Sequence, residues 1–195
     1  MDKPRVYIDF NEMVTDDIVL LSKEDTKVDS EGNIVVFYDK MPVLLYSDDA
    51  SDNGETDHLL AEGIAIKYDL KGYPGWEHVK WCARVDWDSL IHESDLEFMQ
   101  LLLAEIKRHP DDIQLLRECL VKFKNRGMGK AAMLKNLEKL REAGGNDETY
   151  GNNERRSFSI ENKFSNGENS FIENVVLDLM DFVSGWCEPS LSVFG

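Results

Sequence analysis

The chain has 195 residues and carries 22 Lys and Arg against 38 Asp and Glu, a formal net charge of −16. Hydrophobic residues make up 42% and aromatic residues 10% of the sequence, a composition typical of a folded globular protein. The negative charge argues against direct binding to nucleic acid or to an anionic membrane, because both need positive charge. No run reaches the roughly 20 apolar residues of a membrane span, and no apolar secretion stretch opens the sequence, which predicts a cytoplasmic protein.

Residues 1–93 have the pattern of strands separated by turns. Six short runs predict an antiparallel sheet that curls or closes into a small barrel. The last run is the clearest, because its odd positions from Val79 to Trp87 are apolar and its even positions are polar from Arg84 onward, which predicts one buried and one wet face. The six predicted strands are Arg5–Phe10, Ile18–Ser22, Ile34–Asp39, Val43–Ser47, Leu59–Lys67 and His78–Trp87.

From Ser94 the hydrophobic period becomes helical. Ser94 and Glu97 have the Ser-x-x-Glu spacing of a capping box at a helix start. Pro110 ends this first helix, Asp111 or Asp112 caps the second, and Gly127 is its natural stop. Four helices of this kind predict a helical subdomain around one seam. They are predicted at 94–109, from 113 to before Gly127, at Lys130–Ala143 and at Phe171–Trp186.

The sequence therefore predicts an α+β fold, with an antiparallel β domain at 1–93 and a helical domain at 94–195. Within the helical domain, a stretch at about 144–170 is rich in Asn and Gly and poor in aliphatic residues. A long segment of this composition is typical of a mobile loop or an insertion. A weak alternation at Ser157–Phe164 leaves a strand or hairpin arm open as the alternative.

The charge is unevenly distributed along the chain. Residues 1–93 hold 9 basic and 21 acidic side chains, a balance of −12, and residues 94–195 hold 13 and 17, a balance of −4. Within the second half, Lys107 to Arg141 carries 10 basic and 4 acidic residues. This basic strip is interpreted as a solvated helix surface that also contacts acidic groups, because no aromatic residues interleave with it to stack nucleic-acid bases. The acidic half favours either plain solubility or electrostatic steering of a basic protein partner.

The spacing of the cysteines, histidines and acidic residues favours a protein without a cofactor. The three cysteines, Cys82, Cys119 and Cys187, are widely spaced in apolar contexts and are expected to be reduced and buried. A calcium loop read from Asp49 would need a bidentate Glu at its twelfth position, where the sequence has Leu60. The four histidines lack the spacing of a zinc site.

Three segments carry a resemblance. They are Ile8-Asp9-Phe10-Asn11-Glu12-Met13, the stretch Leu20–Val36 and the ending Leu177–Pro189. Together they are similar to small bacterial proteins that include immunity proteins, the antidotes encoded beside polymorphic or contact-dependent toxins. The resemblance implies a cytosolic inhibitor that binds one cognate toxin domain, often a basic nuclease, and blocks it sterically.

The predicted function is accordingly a non-catalytic inhibitor that binds and occludes a basic toxin, with no direct contact to nucleic acid or membrane. Acidic loop residues are expected to attract the partner, and two aromatic residues in a Gly/Pro turn are expected to anchor it. The alternatives are a small enzyme using Asp86, Asp88 or His92, and an inhibitor that mimics nucleic acid. The candidate binding residues are Asp48, Asp49, Asp52, Glu55, Asp57, Tyr73 and Trp76.

Overall fold

The structure is a computed structural model that describes residues 3–50, 54–144, 166–185, 187 and 191–194. These residues form two compact units that divide after Glu93. The first, here the β unit, contains the strands, and the second, here the helical unit, contains the helices. The predicted α+β class is confirmed.

The β unit is built from seven strands in two sheets. Five strands form one sheet in the order β1-β5-β6-β7-β2, and β3 pairs with β4 in a separate hairpin. In chain order the strands are β1 (Arg5–Tyr7), β2 (Ile18–Ser22), β3 (Thr26–Val28), β4 (Ile34–Val36), β5 (Met41–Ser47), β6 (Leu59–Ile66) and β7 (Trp81–His92).

The five-stranded sheet is mixed, whereas the sequence predicted an antiparallel one. Three of its four pairings are antiparallel, but β1 runs parallel to β5, with Val6 opposite Leu45. A parallel pair needs a long connection between its strands. Here β2, β3 and β4 supply that connection. Short runs of apolar residues do not show which distant strands pair or in which direction. The predicted strand at His78–Trp87 starts later and runs further, from Trp81 to His92.

The β3–β4 hairpin has a locally encoded tip. The Asp29 carboxylate accepts hydrogen bonds from the main-chain N–H groups of Glu31 at 2.9 Å and Asn33 at 2.8 Å, and these bonds lower the pKa of Asp29. Gly32 follows with φ +88°, a left-handed conformation that glycine adopts without strain. The turn at this place was predicted, but β3 was not, because Thr26-Lys27-Val28 is short and only partly apolar.

Lys27 joins the two edges of the five-stranded sheet. Its ammonium donates to the carbonyl of Tyr7 in β1 and, at 2.9 Å, to the carbonyl of Leu21 in β2. Since β1 and β2 are the two ends of the strand order, one ammonium can bind both only if the sheet is curled. Desolvation by burial lowers the pKa of Lys27, and the nearby charge of Glu12 partly offsets this effect.

Apolar clusters lie on both faces of the sheet. The odd positions of β7, from Trp81 to Val85, join the larger cluster, as the alternation predicted. Phe37, next to β4, packs on Trp81 with ring centroids 5.8 Å apart. The even position Cys82 is also buried, in a second cluster with Ile18, Leu20, Ile66 and others. The predicted wet face of β7 is therefore covered at Cys82, although Arg84 is exposed.

The helical unit contains four helices whose apolar faces are buried, as predicted. Phe98 and Phe123 meet edge to face at its centre, with centroids 5.0 Å apart. Asp112 caps the second helix by accepting from the N–H of Leu115 at 3.0 Å, as expected. The helices are α1 (Glu93–Arg108), α2 (Ile113–Asn125), α3 (Lys130–Gly144) and α4 (Asn166–Ser184).

Two predicted helix starts differ from the structure. Strand β7 passes directly into α1, and the N–H of Glu93 donates to the carbonyl of His58 at 2.8 Å. The first N–H group of α1 is thus bound by a residue that precedes β6. The carboxylate of Glu97, predicted to cap the helix start, binds the Arg126 guanidinium through two bonds of 3.0 and 2.7 Å. Helix α4 begins at Asn166 rather than Phe171. The rest of the predicted loop, 145–165, lies outside the described residues.

No helix in the described part of the chain is long and apolar enough to cross a membrane.

Candidate protein-binding surface

The acidic loop is defined here as residues 48–58, which connect β5 to β6. Asp48, Asp49 and Glu55 are exposed, as the sequence predicted. The N–H of Asp57 donates to the carbonyl of Asp49 at 3.0 Å, so the two arms of the loop are tied together. Asp52, the fourth predicted steering residue, lies outside the described residues.

Asp57 differs from the expectation of an exposed carboxylate. Its side chain is only 9% exposed and faces His92, with Oδ2 lying 3.7 Å from Nδ1. A buried carboxylate cannot contact an approaching partner in the way that Asp48 can, since the side chain of Asp48 is 73% exposed. The prediction of an exposed Asp57 was wrong because residue 57 lies two positions before β6, where its side chain packs beside His92 at the end of β7.

The base of the acidic loop is held by a polar network at the end of the sheet. The Arg5 guanidinium binds the carboxylate of Glu93 through two bonds and lies 4.7 Å from the ring centroid of Tyr46. The ring of His58 meets Tyr46 edge to face, and its Nδ1 lies 3.4 Å from the Asp48 carboxylate. His58 thus joins one arm of the loop to the other arm and to β5, and Arg5 of β1 joins β5 to the start of α1.

The network contains two His–Asp pairs, which raises the question of acid–base chemistry. The Nδ1 atoms of His58 and His92 are buried and have no hydrogen-bond partner among the described residues. Nδ1 of His92 lies 3.7 Å from the Asp57 carboxylate, which is beyond hydrogen-bond length, and the 3.4 Å contact of His58 with Asp48 forms no hydrogen bond. The pairs are therefore close side-chain contacts within the fold and do not form hydrogen-bonded acid–base couples.

Asp86 and Asp88, the two carboxylates of the alternative enzyme interpretation, both lie in β7. The Asp86 carboxylate accepts a hydrogen bond from the main-chain N–H of Asp88 at 3.2 Å. The main-chain carbonyl of Asp86 accepts a hydrogen bond from the hydroxyl of Ser89. Both contacts stabilise an irregular stretch of β7, opposite the register shift between Leu60 and Glu62. No described hydrogen bond or ion pair joins either carboxylate to His92. No group of His, Cys, Asp and Glu in the described residues is arranged to hold a metal ion.

The predicted anchors Tyr73 and Trp76 are half-buried. Their rings stack with centroids 6.2 Å apart, and Tyr73 also meets Tyr68. Both pack against the second apolar cluster of the β unit. This arrangement favours a structural role for most of their surface.

Trp76 also lines a groove of about 680 Å³ in the β unit. The groove lies where the chain of β1 faces that of β2, and Lys27 and His78 contribute to its walls. The Lys27 ammonium binds two main-chain carbonyls, so this cation of the groove is committed to the fold.

The sequence analysis missed an exposed apolar surface on the β3–β4 hairpin. We call it the hairpin face and define it as Val28, Ile34, Val36 and Tyr38, whose exposed fractions are 57%, 73%, 63% and 58%. Val28 lies opposite Ile34 in the register, so their side chains are cross-strand neighbours. Contiguous exposed apolar residues mark interaction sites more often than scattered ones do.

A signal for this surface was present in the sequence. Residues 34–37 read Ile-Val-Val-Phe, with no polar residue to define a wet face. Val35 and Phe37 point into the core, which leaves Ile34 and Val36 on the other side. Without knowledge of what covers the hairpin, the run resembles a strand buried on both faces.

The electrostatic environment of the β unit is negative near the acidic loop. Partial desolvation raises the pKa of Tyr7, and the charges of Asp48 and Asp9 raise it further. By contrast, the basic strip of the helical unit is largely engaged within that unit. Arg117, Lys124 and Lys130 donate to main-chain carbonyls of Leu191, Val193 and Ser184, at 2.6, 2.7 and 2.9 Å.

Comparisons of the chain with protein-family models, with curated proteins and with solved structures find no match. The resemblance to immunity proteins therefore stays a prediction, and the function has to be argued from the surfaces described above.

Proposed function

We propose that this protein is a non-catalytic binding protein that attaches to a basic protein partner through its β unit. The observation that carries the proposal is the hairpin face, a run of exposed β-branched and aromatic side chains on an otherwise acidic unit. Interface cores are apolar, and acidic surroundings select a partner of opposite charge.

The acidic loop supplies the second part of the mechanism. Exposed carboxylates at Asp48, Asp49 and Glu55 raise the rate of encounter with a basic surface, by roughly 10- to 1000-fold for strongly steered complexes. The apolar side chains then slow dissociation, because they become desolvated only in the final complex. The residues that speed association therefore differ from those that slow dissociation, although both sets lie in the β unit.

The specific form of the proposal is an immunity-type inhibitor that neutralises a toxin by covering its basic active-site cleft. It is supported by the negative balance of residues 1–93 and by the segments that resemble immunity proteins. Inhibition by occlusion requires no catalytic group.

The test is binding to the basic protein encoded by the neighbouring gene, measured by surface plasmon resonance with the full chain. Replacing Asp48, Asp49 and Glu55 by Lys should lower the association rate at least tenfold and leave the dissociation rate nearly unchanged. The matched control replaces Glu118, Glu142 and Asp178, three exposed acids of the helical unit, and changes the net charge equally.

An equal loss of association rate in both triple variants would show that net charge, rather than the acidic loop, attracts the partner. Failure of the wild-type chain to bind or inhibit the basic neighbour would refute the proposal.

A further inference from the structure

The β3–β4 hairpin has two edges, and the hydrogen-bond register shows which groups point outward. The N–H of Phe37 donates to the carbonyl of Asp25, and the N–H of Asp29 to that of Asn33, each at 2.9 Å. Bonded pairs in an antiparallel ladder alternate, so Lys27 and Val35 form the pair between them. The main-chain groups of Ile34 and Val36 therefore point away from β3.

The edge formed by β3 is occupied. The carbonyl of Thr26 accepts from the hydroxyl of Ser22, at 3.4 Å. Just beyond β3, the N–H of Ser30 donates to the carbonyl of Arg5 in β1 at 2.9 Å. The β3 side of the hairpin is thus turned toward the edge strands of the large sheet, where Lys27 also bonds.

The edge formed by β4 is open among the described residues. Its one strand partner is β3, and none of the described donors and acceptors binds the main-chain groups of Ile34 or Val36. Proteins commonly protect such an edge with Lys, Pro or a bulge. The sequence of β4, Ile-Val-Val, contains none of these and has high strand propensity.

Charge identifies the kind of strand that fits this edge. The exposed carboxylates of Glu31 and Asp39 flank β4 at its two ends, and Asp29 lies at the hairpin tip. A second copy of this chain would bring the same acids and a net charge of −16 against them, which opposes self-pairing. A segment with Lys or Arg on one side and apolar residues on the other matches both the acids and the hairpin face.

We infer that β4 accepts an extended segment of the basic partner as an additional strand. Main-chain bonds to Ile34 and Val36 would supply the pairing, and apolar side chains of the added strand would cover the hairpin face. The inference rests on the proposed function, since it names the structural element through which the basic partner is held.

The experiment uses a synthetic octapeptide of alternating Lys and Val, with blocked ends, and the full-length protein. We expect the peptide to bind at low salt and to slow hydrogen exchange of the Ile34 and Val36 amides at least tenfold, as followed by NMR. An octapeptide of alternating Glu and Val is the charge control. The same Lys-Val peptide with every amide N-methylated keeps the charge but cannot donate main-chain bonds, so it should not bind.

A protein variant tests the same edge from the other side. Val36→Pro removes the outward N–H of Val36 and should abolish binding, provided that amide signals outside residues 24–40 are unchanged. If that variant does not fold, the double replacement Ile34→Thr and Val36→Thr keeps the β-branched strand and should weaken peptide binding at least fivefold by removing apolar contact.

The outcomes separate the inference from the proposed function. Equal binding of the methylated peptide, absence of protection at Ile34 and Val36, or no binding of the Lys-Val peptide would each overturn strand addition. The partner-binding experiment with the Asp48, Asp49 and Glu55 variant would stand or fall independently of these results. Protection of Ile34 and Val36 without peptide, accompanied by a dimer in sedimentation, would assign the edge to a second copy and also overturn the inference.

Discussion

Replacing Lys27 by Met tests whether one ammonium holds the two edges of the sheet together. The substitution keeps the length and most of the apolar volume of the side chain but removes both hydrogen bonds, to the carbonyls of Tyr7 and Leu21. Hydrogen bonds to charged groups contribute about 1.5–3 kcal/mol each.

Part of this loss is offset in the variant. The ammonium is itself partly desolvated, as its lowered pKa indicates, and Met does not incur that cost. We therefore expect the free energy of unfolding to fall by about 2–3 kcal/mol, less than the sum of the two bonds. For a chain of this size the melting temperature should fall by about 5–10 °C.

The assay is urea unfolding followed by tryptophan fluorescence, which reports mainly on the β unit because three of the four tryptophans, Trp76, Trp81 and Trp87, lie there. Lys23→Met is the matched control, since it removes the same charge from an exposed neighbouring position. If Lys27→Met and Lys23→Met differ in the free energy of unfolding by less than about 0.5 kcal/mol, a net role for the ammonium at this junction is refuted.

Three further predictions concern individual positions. Gly63→Ala should destabilise the protein by about 1–3 kcal/mol in urea unfolding, because an added Cβ would lie 2.8 Å from Cδ1 of Leu45 and 2.9 Å from the carbonyl oxygen of Arg84. Gly72 has open space around it, so Gly72→Ala should be neutral. Equal effects of the two substitutions would contradict the packing explanation. Burial raises the pKa of Cys82 to about 11, above the unfolded value of about 8.5. The folded state therefore holds this proton more tightly, and about 1–2 kcal/mol of the free energy of unfolding should be lost between pH 8 and pH 10. Cys82→Ala should flatten that part of the stability profile, and an unchanged slope would contradict the assignment to Cys82. Asp112→Ala removes the cap of α2 and should cost about 1 kcal/mol, whereas Asp111→Ala should cost little; thermal melts that reverse this order would show that the wrong residue was assigned as the cap.

The parts of the fold that were predictable depend on local signals. Alternation along β7, the turn from Asp29 to Asn33 and the cap at Asp112 each involve residues close in sequence, and the structure contains all three. Pairings between distant segments were not predictable in the same way. The parallel contact of β1 with β5 joins Val6 to Leu45 across most of the β unit, and no local pattern encodes it.

The candidate surfaces illustrate the same division. Exposure of Asp48 and Asp49 followed from their turn composition, and the structure agrees. Burial of Asp57 follows from its position at the end of the sheet, and Ile34 and Val36 are exposed because none of the described elements packs over that side of the hairpin. Both depend on which elements pack together. Residue type alone does not determine that packing.

The position of β2 in the sheet has a consequence for the synthesis of the chain. All of its apolar residues are buried, but its strand partner is β7, and Leu20 pairs with Cys82. The ribosome must therefore add 62 more residues before that partner exists, which takes roughly 3–12 s at about 5–20 residues per second. The β3–β4 hairpin, with its short loop, can form during that interval, while Ile18 to Leu21 have no pairing strand. We therefore expect chaperone demand to be greatest while residues 18–82 are being made, before the two edges of the sheet can be joined.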